Sequence, residues 1–145
     1  MGSEMCIRDS ALPPHAYIPG QTQRHNEAQF DEIISSIPSV IDFETLQTLS
    51  AFHTALNYMQ HGFHWEAHEI LEAIWMNTAQ NSIERLFTQC IIHLANANLK
   101  HIMKRETATQ KIMKNANALS AEIGRRAPNS AAFTEIQKLF LKHAL

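Results

Sequence analysis

Apolar residues recur every three or four positions through most of this 145-residue chain. This is the spacing of an amphipathic helix, and no segment shows the strict alternation of a half-buried strand. The segment between Asp42 and Gly62 carries the repeat on Leu46, Leu49, Phe52, Leu56 and Met59. The pattern predicts an all-α protein, a compact bundle of five to six helices.

Capping residues and helix breakers divide this pattern into helices. The first helix is predicted to begin at Asn26 and to end before Pro38. The second is predicted to begin at Asp42 and to end at Gly62. Later helices are predicted over about 64–76, 81–104, 106–123 and 130–145, with Asn81 and Gly124 as boundary residues.

The N-terminal segment differs from the rest of the chain. Its first ten residues, MGSEMCIRDS, lack periodicity and back-translate to part of a transposase sequencing adapter. We therefore expect residues 1–10 to be an artefact on a truncated metagenomic gene. Residues 11–25 are expected to form an extended Pro-rich arm, because proline disfavours a helix at the residue before it. Residues 26–145 then form a single helical domain.

Charge and composition narrow the class of protein. The net charge is −2, with acidic and basic residues interspersed, which gives no basic surface for nucleic acid. No apolar run is long enough to suggest a membrane span, so a cytoplasmic protein is expected. Two cysteines, Cys6 and Cys90, cannot form a disulfide framework and lack the spacing of metal ligands.

The segment GFHWEAHEILEAIW, residues 62–75, places histidines and carboxylates in a helix that must also contribute to the core. Its apolar face is predicted to comprise Phe63, Ala67, Ile70, Leu71 and Ile74. His64, His68 and Glu72 follow at intervals of four and form a ridge along the edge of that face. We expect Glu66 to point away from the face.

A second polar ridge is predicted on the following helix. It comprises Gln89, His93, Asn96 and Lys100, again at intervals of three and four. Helices joined by a short loop pack side by side, so the two ridges are expected to meet in one half-buried site.

Two interpretations of this site remain open. In the first, His68 and Glu72 belong to a polar network that satisfies buried groups and fixes helix packing. In the second, His64, His68, Glu72 and His93 bind a divalent transition metal, with Glu69 as an alternative ligand. A metal-assisted hydrolase would then use Glu69 or Glu72 as a general base. The string HExxE lacks the second histidine of zinc peptidases, which disfavours a protease.

The same residues resemble a known family. GFHWEAHEILEAIW is similar to the signature G-x-[YF]-[YFW]-E-A-H-E-x-L-E-x-x-W of the bacterial and archaeal helical family called domain of unknown function 309. LPPHAYIPG is similar to the LPPYRYVPG arm that often precedes that domain, and QCIIHLANANLKH is similar to its QGLIQLAAALYH helix. The positions that carry the resemblance are Gly62, Trp65, Glu66, Ala67, His68, Glu69, Glu72, Trp75 and Gln89.

This resemblance implies a compact all-helical domain and no established activity. The chain also departs from the family, because Cys90, His93 and Lys100 stand where the family tends to have Gly, Gln and His. A site that needs a histidine at position 100 is therefore in doubt, although His93 or His101 would be a substitute.

We predict a noncatalytic helical domain whose His/Glu cluster is a structural polar network or a partner-interaction site. The partner is another protein or a second copy of this chain, and neither nucleic acid nor a membrane is expected. The alternative is a metal- or small-ligand-binding protein that uses the same cluster. The sequence identifies no catalytic residue, and a divalent metal is the cofactor that the alternative would require.

Overall fold

The computed structural model describes residues 12–143 and 145, which form seven α-helices. They are α1 (Asp31–Ser35), α2 (Phe43–Thr48), α3 (Ser50–Gln60), α4 (His64–Trp75), α5 (Ile83–Ile102), α6 (Glu106–Arg126) and α7 (Ala131–His143). The predicted all-α fold is confirmed. In this part of the chain the extended pairing is limited to an isolated bridge between Ile41 and Thr78. The proposed artefact, residues 1–10, lies outside the described residues.

Helix α5 is the centre of the bundle. It packs against α4, α6 and α7 and also meets α2, while α3 packs on α4. Its buried residues cover most of its circumference, because neighbours surround it: Phe87, Thr88, Cys90, Ile91, Ile92, Leu94, Ala95, Ala97 and Leu99. No helix within residues 12–143 is both long and apolar enough to cross a membrane.

The predicted second helix is divided into α2 and α3. Asp42 begins α2 as predicted, and its carboxylate accepts a hydrogen bond from the backbone N–H of Thr45 at 2.7 Å. Leu49 then adopts an extended conformation, with φ −71° and ψ 123°, which ends one helix and begins the next. Phe43 of α2, before this break, packs edge-on against Phe87 of α5, at 5.1 Å between ring centroids. Apolar spacing alone does not reveal such a break.

Two predicted helix starts are corrected. The first helix begins at Asp31 rather than Asn26, because the Asn26 side chain accepts a hydrogen bond within a turn, from the backbone N–H two residues later. Helix α5 is capped by Ser82 rather than Asn81. Asn81 has a φ of 65° and belongs to the preceding turn.

Gly124 was predicted to end its helix, but α6 continues through it to Arg126. A Cβ atom at Gly124 would lie 2.7 Å from ring atoms of Phe133 in α7. The glycine therefore allows α6 and α7 to approach each other, and it does not act as a helix stop. The last helix likewise ends at His143, slightly before the predicted end at Leu145.

Candidate functional site

Glu66 in α4 is the most completely buried carboxylate among the described residues, with 0% of the residue exposed. Its Oε2 accepts a hydrogen bond from the backbone N–H of Tyr17 at 2.6 Å and lies 2.6 Å from Nε2 of His25. Both partners come from the N-terminal arm, which covers this side of α4. Glu66 thus lies outside the apolar face of α4, as expected, but the sequence analysis did not predict that the arm would bury it.

Aromatic contacts hold the arm on α4 beside this carboxylate. The Tyr17 ring meets Trp65 edge-on, with 5.0 Å between centroids. His25 stacks on His15 at 4.5 Å and contacts Phe30 edge-on at 5.3 Å. The His25 side chain is only 3% exposed as a result. The arm and α4 thus share a small core of their own around the Glu66 carboxylate.

Two buried atoms in this small core lack a hydrogen-bond partner. They are Oε1 of Glu66 and Nδ1 of His25. Unpaired buried polar atoms are uncommon in folded proteins and each is unfavourable by about 1–3 kcal/mol. The effect of the carboxylate reaches Tyr58, where burial and then the charge of Glu66 raise the pKa of the phenol to about 12.

The predicted ridge on α4 contains a histidine held between two carboxylates. His68 Nε2 lies 3.1 Å from Oε2 of Glu72, and its Nδ1 lies 3.4 Å from Oε2 of Glu69. The interaction with Glu69 raises the pKa of His68, burial opposes this rise, and the charge of Glu72 adds to it. The arrangement favours the positively charged imidazolium.

The opposing ridge on α5 supplies His93 and Gln89, whose Nε2 atoms lie 3.4 Å apart. Burial lowers the pKa of His93, and the positive charge of nearby His68 lowers it further. Glu72 and Gln89 also line one shared cavity. Of the four residues that were predicted as metal ligands, His68 and Glu72 are thus paired on α4, and His93 on α5 is close enough for the charge of His68 to lower its pKa.

The fourth predicted ligand, His64, is buried one helical turn before His68. Burial lowers its pKa to about 4, and the charge of His143 in α7 contributes to this shift. Its neutral ring is thus close enough to the end of α7 for the two histidines to interact electrostatically. Among residues 12–143 and 145, no group of three or more His, Cys, Asp or Glu side chains is arranged to hold a metal ion.

The loop after α4 is fixed by Arg85, which the sequence analysis did not identify. Its guanidinium carbon lies 3.7 Å from the centroid of the Trp75 ring. The same side chain donates a hydrogen bond to the carbonyl of Thr78 at 2.8 Å. The Trp75 ring also forms one wall of a cavity of about 320 Å³. The other residues that line this cavity are Glu72, Met76, Gln89 and Ile92.

Sequence reasoning also missed Tyr17 and His25 as partners of Glu66. They lie 49 and 41 residues from it in the chain. The available signal was the aromatic and histidine content of the arm, which does not specify a partner.

The family model described as Domain of unknown function (DUF309) matches residues 52–112. This segment contains most of α3, all of α4 and α5, and the start of α6. The resemblance seen in the sequence is confirmed over these residues. Comparison with curated proteins and with solved structures found no match.

We predict that Glu66→Ala lowers the free energy of unfolding by about 1–3 kcal/mol, because it removes the acceptor for two groups of the arm. Urea denaturation of the full chain measures the change. Glu69→Ala, which removes a carboxylate from a partly exposed position on the same helix, is the control and should cost less than about 1 kcal/mol. Equal losses in the two variants would contradict a specific role for Glu66.

Proposed function

We propose that this domain, whose residues 52–112 match the model of a family of unknown function, is noncatalytic and acts by binding a protein partner. The His/Glu cluster, defined here as His68, Glu72, Gln89 and His93, is in this proposal a polar network that fixes α4 against α5. The partner binds beside the cluster, on the cavity that Trp75 borders.

The observation that carries this proposal is the position of His68 between two carboxylates. Nε2 lies 3.1 Å from a Glu72 oxygen, and Nδ1 lies 3.4 Å from a Glu69 oxygen without forming a hydrogen bond. The two carboxylates raise the pKa of His68 and so favour its charged form. A metal ion needs the free electron pair of a neutral imidazole nitrogen. The geometry therefore favours ion pairing of His68 over a metal site.

His93 complements this arrangement. Its ring is half-buried, and its pKa is lowered by burial and by the charge of His68. The carboxylates thus favour the charged form of His68, whereas burial favours the neutral form of His93, which meets the Gln89 amide. Two histidines that prefer different charge states favour one arrangement of their rings. In this proposal, that arrangement sets the register of α4 on α5.

The partner surface is proposed from the cavity beside the cluster. The cavity has a volume of about 320 Å³, and Trp75 and Ile92 form part of its wall. Met76, an apolar residue at its rim, is 71% exposed. Methionine adapts its shape to an apolar side chain from another protein. The Glu72 carboxylate, 53% exposed, accepts hydrogen bonds from outside. The partner that fits is a segment with an apolar side chain next to a lysine or arginine.

A second candidate function is the binding of a divalent metal or small ligand at the same cluster, including metal-assisted hydrolysis. One observation favours it, since His68, Glu72 and His93 lie on facing helices with Glu72 open to solvent. Metal binding would then have to displace a proton from His68.

Location and other partners belong to the proposal as well. We place the protein in the cytoplasm. We also expect no binding to nucleic acid, because the net charge is −2 and the basic residues are interspersed with acidic ones.

The network and the metal site are separated by His68→Ala. In the network, the substitution removes the ion-pair partner of Glu72 and Glu69 and leaves a gap at a half-buried position, which lowers the free energy of unfolding by about 1–3 kcal/mol. Zinc, manganese or iron(II) should leave the melting temperature of the wild type unchanged. His101→Ala removes an exposed histidine paired with Glu106 and is the matched control, with an expected loss under about 0.5 kcal/mol. Stoichiometric metal that is retained by the wild type and lost in both His68→Ala and Glu72→Ala would refute the network proposal.

The partner surface is tested with a photo-crosslinking amino acid in place of Met76. We expect one specific protein adduct in cells, reduced by Glu72→Lys, because a lysine would repel the basic residue of the partner. The same crosslinker in place of Leu141, which is 87% exposed on α7, is the control. A similar adduct from both positions, or no adduct from position 76, would argue against this surface.

A further inference from the structure

A second cavity, of about 410 Å³, lies between the end of the arm, α1 and the N-terminal half of α4. It is separate from the cavity of the proposed partner surface, although Glu69 lies near both the cluster and this second cavity. Its volume falls in the range of small-molecule binding sites. The residues that line the cavity indicate which kind of ligand it would bind.

The deepest polar group of the wall is His25. Its side chain is 3% exposed, its Nε2 faces the Glu66 carboxylate at 2.6 Å, and its Nδ1 has no hydrogen-bond partner. Oε1 of Glu66, on the carboxylate that His25 meets, is a second buried atom without a partner, and as a carboxylate oxygen it is an acceptor. This side of the cavity therefore favours a ligand that donates hydrogen bonds.

The charged residues of the wall have the same preference. Glu27, Asp31 and Glu69 contribute three carboxylates, whereas Arg24 contributes one guanidinium. The buried carboxylate of Glu66 adds negative potential behind them. An anionic ligand would meet repulsion here, and a cationic one would be attracted.

The apolar part of the wall consists mainly of two aromatic rings. Trp65 and Phe30 lie 6.4 Å apart between centroids, with an angle of 56° between their planes. Aromatic faces attract ammonium groups and also cover an apolar body. Acceptors, carboxylates and aromatic faces therefore favour the same ligand.

We infer that this cavity binds a small organic cation, an ammonium group attached to an apolar body. The ammonium group lies beside the buried His25 ring and is neutralised by Glu27 and Asp31 at the rim, while the apolar body lies against Trp65 and Phe30. The inference does not depend on the proposed function, because its polar contacts lie on the arm side of α4.

Isothermal titration of the full chain with benzylammonium tests this inference, with benzyl alcohol as the neutral probe of the same shape. We expect saturable binding of benzylammonium with one site per chain, and roughly tenfold weaker binding of the alcohol. The ring resonances of His25 should shift during the titration, which would place the ligand beside His25 in this cavity.

The double variant Glu27→Gln with Asp31→Asn should weaken benzylammonium binding by roughly three- to tenfold, since each rim carboxylate contributes a solvent-exposed ion pair. Both positions are exposed, so the fold is preserved. Glu32→Gln removes a neighbouring exposed carboxylate that does not line the cavity, and should leave the affinity unchanged within about twofold. The inference would be overturned by absence of saturation, by equal binding of benzyl alcohol, by an unshifted His25 or by equal loss in the control.

Discussion

The buried carboxylate of Glu66 is the constraint on which the arrangement of the arm depends. A carboxylate without solvent exposure is stable only when donors replace its water, and isolated burial of such a charge is strongly unfavourable. The donors here are the backbone N–H of Tyr17 and the ring of His25. The arm must therefore follow one path along α4, and that path creates the aromatic cluster and the larger cavity.

Helix α4 meets a different environment on each of its sides because its residues are about 100° apart. The central stripe of Ala67, Ile70, Leu71 and Ile74 is buried in the main core. Glu66 and Trp65 face the arm on one side, while His68 and Glu72 face α5 or solvent on the other. The polar residues of α4 therefore form two separate sites, one on either side of an apolar stripe.

Local patterns predicted much of this fold. Periodicity identified the helical class, the Asp42 carboxylate identified the start of α2, and the helix from His64 was predicted to within one residue of its end at Trp75. These features depend on contacts between residues a few positions apart. The break at Leu49 and the continuation of α6 past Gly124 depend instead on packing against distant helices.

In the candidate site, too, some features follow from local spacing and others depend on packing against distant segments. The ridge of His68 and Glu72 follows from helical spacing, and so does the proximity of His93 once two neighbouring helices are paired. His64 also belongs to that ridge by spacing, yet it is buried within range of the charge of His143, at the end of the last helix. Which chain segment covers a residue is decided by tertiary packing, and the burial of Glu66 could not be predicted for that reason.

The most direct test of the central claim is amide hydrogen exchange at Tyr17 in the full chain. If the Glu66 carboxylate holds the arm, the Tyr17 amide should exchange at least about 100-fold more slowly than an unprotected amide, with protection comparable to that of α4. The amide of Arg24, at an exposed position in the same arm, provides the reference. Exchange at Tyr17 as fast as at Arg24 would contradict the account.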